Sequence, residues 1–261
     1  MNEFSSSAQL KALSKSQLRG NYGIVISVYA LHLLITLPLS FVLALLLQVS
    51  LELYFPLSFL VSLFGGFFVA GESLVYLKIA CHERPAVSDL FYYFRSPYAE
   101  RGTKVVRVQL VLAAVSTFCS MPFTYVQRAL TREMAVQAVQ LTADPESVDL
   151  TYHSVLFLVF AILFVAGTAI QILVQLLLSQ AYYLMLDFPE YSGTQILHLA
   201  PKLIKGHKAR LFYIMLSFVP LMLLGFCSCG IGMLWVEPYR QTTFANFYLD
   251  LVQKRKPGNL Q

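Results

Sequence analysis

Residues 155–178 read VLFLVFAILFVAGTAIQILVQLLL, 24 positions without one ionisable side chain. As a helix they extend about 36 Å, more than the roughly 30 Å of a bilayer's hydrocarbon core. A helix apolar on every side is either buried in a large protein or immersed in lipid. The surrounding run, 152–187, is about 54 Å long if wholly helical, so part of it should project beyond a membrane. Three further runs are long enough to span: 24–47, 56–80 and 105–126. Only 13% of the chain is charged, about half of what soluble domains carry, and its mean hydropathy is +0.64. Such a chain is not disordered, because disorder needs low hydrophobicity and high charge. Nor is it a disulfide-stapled mini-domain, since four Cys among 261 residues is ordinary usage. The first apolar run is longer than a signal-peptide core and no A-x-A-like site follows it, so we expect a retained helix.

Residues 209–236 admit two readings. Gly225-Phe226-Cys227-Ser228-Cys229-Gly230 looks like a turn, which gives helices at 209–227 and 231–252; alternatively one helix ends at Glu237-Pro238. Hydropathy favours five spans, because Glu237, Arg240 and Asp250 would each be costly in a sixth. Charge distribution favours six. With the N-terminus cytoplasmic, 16 of the 19 Lys and Arg residues fall inside, against Arg128 and Arg132 outside. Arg240 also lies one turn from Glu237, and a paired charge facing the bundle is far cheaper than one facing lipid. The expected fold is therefore all-α, a polytopic transmembrane bundle of six helices in a single domain over 1–261, both termini cytoplasmic.

The net charge of +5 does not point to nucleic acid, because the basic residues lie between apolar runs instead of clustering on a soluble face. Three amphipathic stretches precede odd-numbered spans. Residues 8–19 place Leu10, Leu13, Gln17 and Leu18 on one face; Val87, Leu90, Phe91 and Phe94 follow helical spacing; so do Ile196, Leu199, Ala200, Leu203 and Ile204. Each leads into a basic residue and a glycine, Arg19-Gly20, Arg101-Gly102 and Lys205-Gly206. The simplest account is three units, each an interfacial helix, a glycine hinge and a helical hairpin. Lys11, Lys15, Arg19, Arg95, Lys202 and Lys205 would then form a basic collar for anionic lipid headgroups.

Leu18-Arg19-Gly20-Asn21-Tyr22, Leu203-Ile204-Lys205-Gly206-His207-Lys208 and Gly230-Ile231-Gly232-Met233-Leu234-Trp235-Val236-Glu237-Pro238-Tyr239, with Thr242, Ala245, Phe247, Tyr248 and Asp250, carry a resemblance. They are similar to a family of uncharacterised bacterial integral membrane proteins. More distantly, the chain resembles the membrane domain attached to some glycerophosphodiester phosphodiesterases. The resemblance implies a bacterial inner or plasma membrane protein and carries over no catalytic residue. Residues 127–151 match no motif.

Chemistry is sparse. His32, His82, His153, His198 and His207 include no H-x-x-x-H pair, and neither a G-x-S-x-G elbow nor a phosphate loop is present. Cys227 and Cys229 are too close and isolated for a metal or redox site, so no metal or cofactor is expected. What stands out are polar residues within apolar runs: Glu72 beside Gly71, Gln171 and Gln175 on one helical face, and Glu237 with Arg240 beside Pro238. We expect Arg240 to pair with Glu237, Glu72 or both. The expected function is non-enzymatic, by membrane assembly or by binding a membrane-protein partner, a second copy or lipid; the alternative is a small transporter, a transporter accessory subunit or a lipid-handling protein. Buried charge beside a water-filled cavity favours the alternative, a sealed bundle the first.

Overall fold

The protein begins with a capped helix. Ser6 accepts a hydrogen bond from the Gln9 amide while the Gln9 side chain accepts from the Ser6 amide, and α1 (Ser7–Leu18) follows. The computed structural model describes residues 4–95, 99–143 and 150–254, and among these every regular element is helical. After α1 come α2 (Tyr22–Val49) and α3 (Leu51–Ala80), then a 3-10 segment (Val87–Phe94) and α4 (Ala99–Ala143). The chain continues through α5 (Leu150–Leu178), α6 (Ala181–Asp187), α7 (Gly193–Leu203), α8 (Lys208–Cys227) and α9 (Met233–Lys254). The turn between α2 and α3 is a single residue: extended Ser50 ends one helix and caps the next by accepting from the Leu53 amide at 3.4 Å. Arg128 donates to the carbonyl of Val49 at 3.0 Å, so one of the two basic residues expected outside serves as a helix cap.

Among the described residues five segments, not six, are long and apolar enough to cross a membrane: Tyr22–Val49, Leu51–Ala80, Arg101–Val136, Ser154–Asp187 and Lys208–Cys227. This arrangement is compatible with a multi-pass membrane protein. The first, second and fifth runs match their expected boundaries within a few residues, except that α3 starts at Leu51, before Pro56. The run 105–126 is the middle of a longer helix, and 152–187 breaks at Ser179-Gln180. The expected sixth span, 231–252, is a helix but not an apolar one. It holds Glu237, Arg240, Asp250 and Lys254, and twelve of its residues are buried by protein. It runs antiparallel to α8, with Gly225 against Met233, Phe218 against Tyr239 and Arg210 bonded to Asp250 at 2.6 Å. That return brings the chain back to where it started: the Ser5 hydroxyl donates to Asp250 at 2.9 Å.

The molecule has a packed end and an apolar end. Around the chain termini, Leu18, Val28, Ile79, Leu90, Val108, Leu203 and Tyr248 are fully buried. Toward the α2–α3 turn, Leu45, Val49, Leu53, Phe118, Val165 and Leu224 are all more than half exposed. Such a continuous apolar surface suits lipid, not water.

The three amphipathic stretches turn part of their apolar faces into the bundle. In α1, Leu10, Ser14, Gln17 and Leu18 are buried while Leu13 is exposed, because Asn246 of α9 donates to both Ser14 Oγ (2.9 Å) and Gln17 Oε1 (2.6 Å). In the 3-10 segment Leu90 and Tyr93 are buried but Val87 and Phe94 are not, and α7 buries Ile196, Ala200 and Leu203. Leu90 comes so close to Gly71 that a Cβ there would lie 2.1 Å from its carbonyl oxygen. Gly20 and Gly206 are the expected hinges, each left-handed at φ +87° with open space around it, whereas Gly102 sits inside α4.

The contacts between units form a ring. α1 and α2 pack on α9; the 3-10 segment and α4 pack on α3; α7 and α8 pack on α5. Each unit thus leans its leading helix and first long helix on the closing helix of the unit before, and α9 closes the ring on α1 and α2. A signature recurs at the end of each unit, Val75-Tyr76-Leu77 in α3, Tyr182-Tyr183-Leu184 in α6 directly after α5, and Phe247-Tyr248-Leu249 in α9, whose central tyrosines are all buried.

Candidate functional site

Between α3, α4, α5, α6, α8 and α9 lies a cavity of about 320 Å³. Gly66 makes room for its most connected side chain, since a Cβ at that position would sit 2.5 Å from Gln109. Gln109 of α4 lies across α3 and donates to the Ser62 carbonyl (2.9 Å) and hydroxyl (3.2 Å), while Tyr182 donates its phenol to Gln109 Oε1. Its amide is thereby satisfied at both ends, as a buried amide must be. On the facing helix, Gln171 donates to the Ser116 carbonyl at 3.2 Å, and Gln175 follows one turn later at an exposed position. The four-residue spacing puts both on one face of α5, as the sequence implied.

At the packed end of the cavity Arg240 and Gln241 line the wall. Arg240 grips Glu237 with Nε and Nη2, the Nε bond measuring 2.9 Å, and Gln241 donates to the same carboxylate at 2.8 Å. Helical geometry makes this possible, because residues three and four positions on face back to Glu237. Glu72 does not join this pair. It is tied instead to His32 of α2, whose Nδ1 lies 2.8 Å from Glu72 Oε1. Both carboxylates are less than a tenth exposed, so each is held by a partner on its own helix or its neighbour.

A second cavity of about 320 Å³ shares Ser62, Ser116 and Gln171 with the first. It continues past Ser58, Ser120 and Thr124 to Tyr54 and Gln127, near the α2–α3 turn. The two adjoin at these three shared residues, so polar lining runs from the middle of the bundle toward its apolar end. Along α4 the stripe Gln109, Ser116, Ser120, Thr124 and Gln127 recurs at helical spacing.

Of the residues singled out in the sequence, Gln171, Gln175 and Arg240 meet in one cavity, Glu237 stands behind Arg240, and Glu72 lies outside it. Sequence reasoning missed His32, Gln109, Tyr182 and Gln241. A signal existed for Gln109 and His32, each a polar residue within an apolar helix. Among the headgroup candidates, Lys11 is diverted: its ammonium donates to the Ser217 carbonyl at 3.2 Å and sits over the Phe218 ring. Lys15, Arg19, Arg95, Lys202 and Lys205 are exposed. Among the described residues no cluster of three or more His, Cys, Asp or Glu side chains could hold a metal ion, and Cys81, Cys119, Cys227 and Cys229 are free thiols.

Residues 1–255 match the family described as "Protein of unknown function (DUF975)", and the chain belongs to that family. Neither a curated protein nor a solved structure matches it.

Proposed function

We propose that this member of the DUF975 family is a multi-pass protein of the bacterial plasma membrane that binds and moves a polar molecule within the bilayer. One observation carries the reading: the polar track through α3, α4 and α5, ending at the Arg240–Glu237 pair. A bundle whose only task was assembly would gain from closing that space with apolar side chains, because close packing adds stability and unfilled volume removes it. The basic residues around the packed end support a cytoplasmic orientation of both termini. Exposed Lys15, Arg19, Arg95, Lys202 and Lys205 remain the candidates for contact with anionic headgroups. We read the activity as non-enzymatic, since the lining offers amides, hydroxyls and one paired guanidinium.

The test is water access. With the four native cysteines replaced by serine, single cysteines at Ser62, Ser116 and Thr124 should react in membranes with a small hydrophilic methanethiosulfonate, while Leu110→Cys, on the apolar surface, should not. Unreactive cysteines at all three track positions would return the protein to the assembly class.

A further inference from the structure

We infer that the occupant of the cavity is a small uncharged, hydroxyl-bearing solute of the polyol class. This rests on the reading above and narrows it.

The charge inventory argues first. Among the described residues the one ionised side chain on the wall of the first cavity is Arg240, and its guanidinium is already paired with Glu237. The pair is neutral as a unit. An anion using the other N–H groups of Arg240 would lie beside the Glu237 carboxylate and be repelled by it, and displacing Glu237 would leave a carboxylate that is 8% exposed with Gln241 as its remaining donor. A buried charge stripped of its partner is strongly disfavoured. A cation fares no better, because no carboxylate among the described residues lines either cavity. Among the described residues the second cavity has no Asp, Glu, Lys, Arg or His on its wall.

The hydrogen-bonding groups argue next. Ser62, Ser116, Gln109, Gln171, Gln175 and Gln241 each carry donor and acceptor together. A hydroxyl does the same from a single atom, so a polyol matches such a wall wherever it turns. Phosphates and carboxylates only accept, and ammonium groups only donate. Part of this capacity is uncommitted. Gln171 gives its N–H to Ser116, and Gln175 hydrogen-bonds to none of the described residues.

Size sets the last bound. Ligand pockets run from about 300 to 1,000 Å³, so 320 Å³ is small. With a water molecule's share of volume near 30 Å³, the space corresponds to about ten waters. Three to six carbons, each with its hydroxyl, fit that bound.

The experiment uses the full chain in liposomes, followed by stopped-flow light scattering after an osmotic step with glycerol, erythritol or ribitol. Sodium gluconate and choline chloride at equal osmolality are the ionic arms. At least one polyol should enter ten-fold faster than into empty liposomes, and neither salt should. Ser116→Leu, which fills the point shared by the two cavities, should abolish that entry; Ser62→Ala is the milder companion, and melting in detergent checks that both fold. Phe118→Ala, on the apolar surface, should behave as the parent. Gluconate or choline entering as fast as the polyols would overturn the solute class while leaving a functional cavity. A polyol that raises the melting temperature of the parent but not of Ser116→Leu, without entering, would uphold the class and overturn transport. If no solute enters or stabilises, both fail.

Discussion

Replacing Arg240 by leucine should cost more stability than replacing Arg240 and Glu237 together. In the parent, Glu237 is 8% exposed and receives three hydrogen bonds, two from Arg240 and one from Gln241. Removing one partner of a buried pair costs about 3–5 kcal/mol, because the other charge stays behind unpaired. The surviving Gln241 bond, of the charged kind worth about 1.5–3 kcal/mol, offsets part of that loss. A net destabilisation of roughly 2–3 kcal/mol follows for Arg240→Leu. The double replacement leaves no charge to desolvate, and its stability should lie within about 1 kcal/mol of the parent. Arg240→Leu with Glu72→Leu should not recover, since Glu72 belongs to His32. Unfolding in mixed micelles with a rising fraction of dodecyl sulfate, followed by helical circular dichroism, gives the free energies. An Arg240→Leu variant as stable as the parent would sink the reasoning, as would rescue by Glu72→Leu but not by Glu237→Leu.

The packed end should loosen in acid through Asp250. Burial raises the pKa of that carboxyl, but hydrogen bonds from Lys254, Arg210 and Ser5 lower it by more, so it sits below its ordinary value. A depressed carboxyl contributes stability above its unfolded pKa and loses it as pH falls through the folded one; Asp250→Asn should therefore flatten the stability profile below about pH 4, and an unchanged acid slope would count against this. Gly20→Ala and Gly206→Ala should each cost about 1–2 kcal/mol, equally, because both glycines are left-handed with open space around them. Gly71→Ala should cost more than either, since its Cβ would meet the Leu90 backbone, and limited proteolysis should then cut around the 3-10 segment first. Lys11→Gln should lower the melting temperature without changing anionic-lipid retention in native mass spectrometry, while Lys15→Gln should do the reverse.

Composition and run length made the apolar helices legible, because a span is a one-dimensional property of the chain. Counting basic residues did not reveal the nature of α9. That helix is polar because protein, not lipid, surrounds it, and burial of that kind depends on helices more than 150 residues away in the chain. Leu13 shows the same limit: periodicity put it on the packed face of α1, yet the partner is the Asn246 side of α9, which takes Ser14 beside the expected Gln17. The Glu237–Arg240 pair was readable from i,i+3 spacing alone. Gln109 was not, because its role depends on the missing Cβ of Gly66, on a different helix. Two of the three hinge glycines showed themselves by sequence context, and the third, Gly102, was absorbed by helix.

The pairing of charges has a consequence for biosynthesis. A helix entering the bilayer from the ribosome must present its ionised groups to lipid until their partners arrive. Two of the buried pairs have short waits. His32 and Glu72 belong to consecutive helices joined by a single residue, and can be inserted together as a hairpin. Glu237 and Arg240 are three residues apart, so α9 carries its counter-ion in with it. What must wait is the fit of α1 and α2, whose partner is the last helix made. Closure of the ring is thus a late event, and a chain stalled before α9 would leave Arg210 without Asp250, and Ser14 and Gln17 without Asn246.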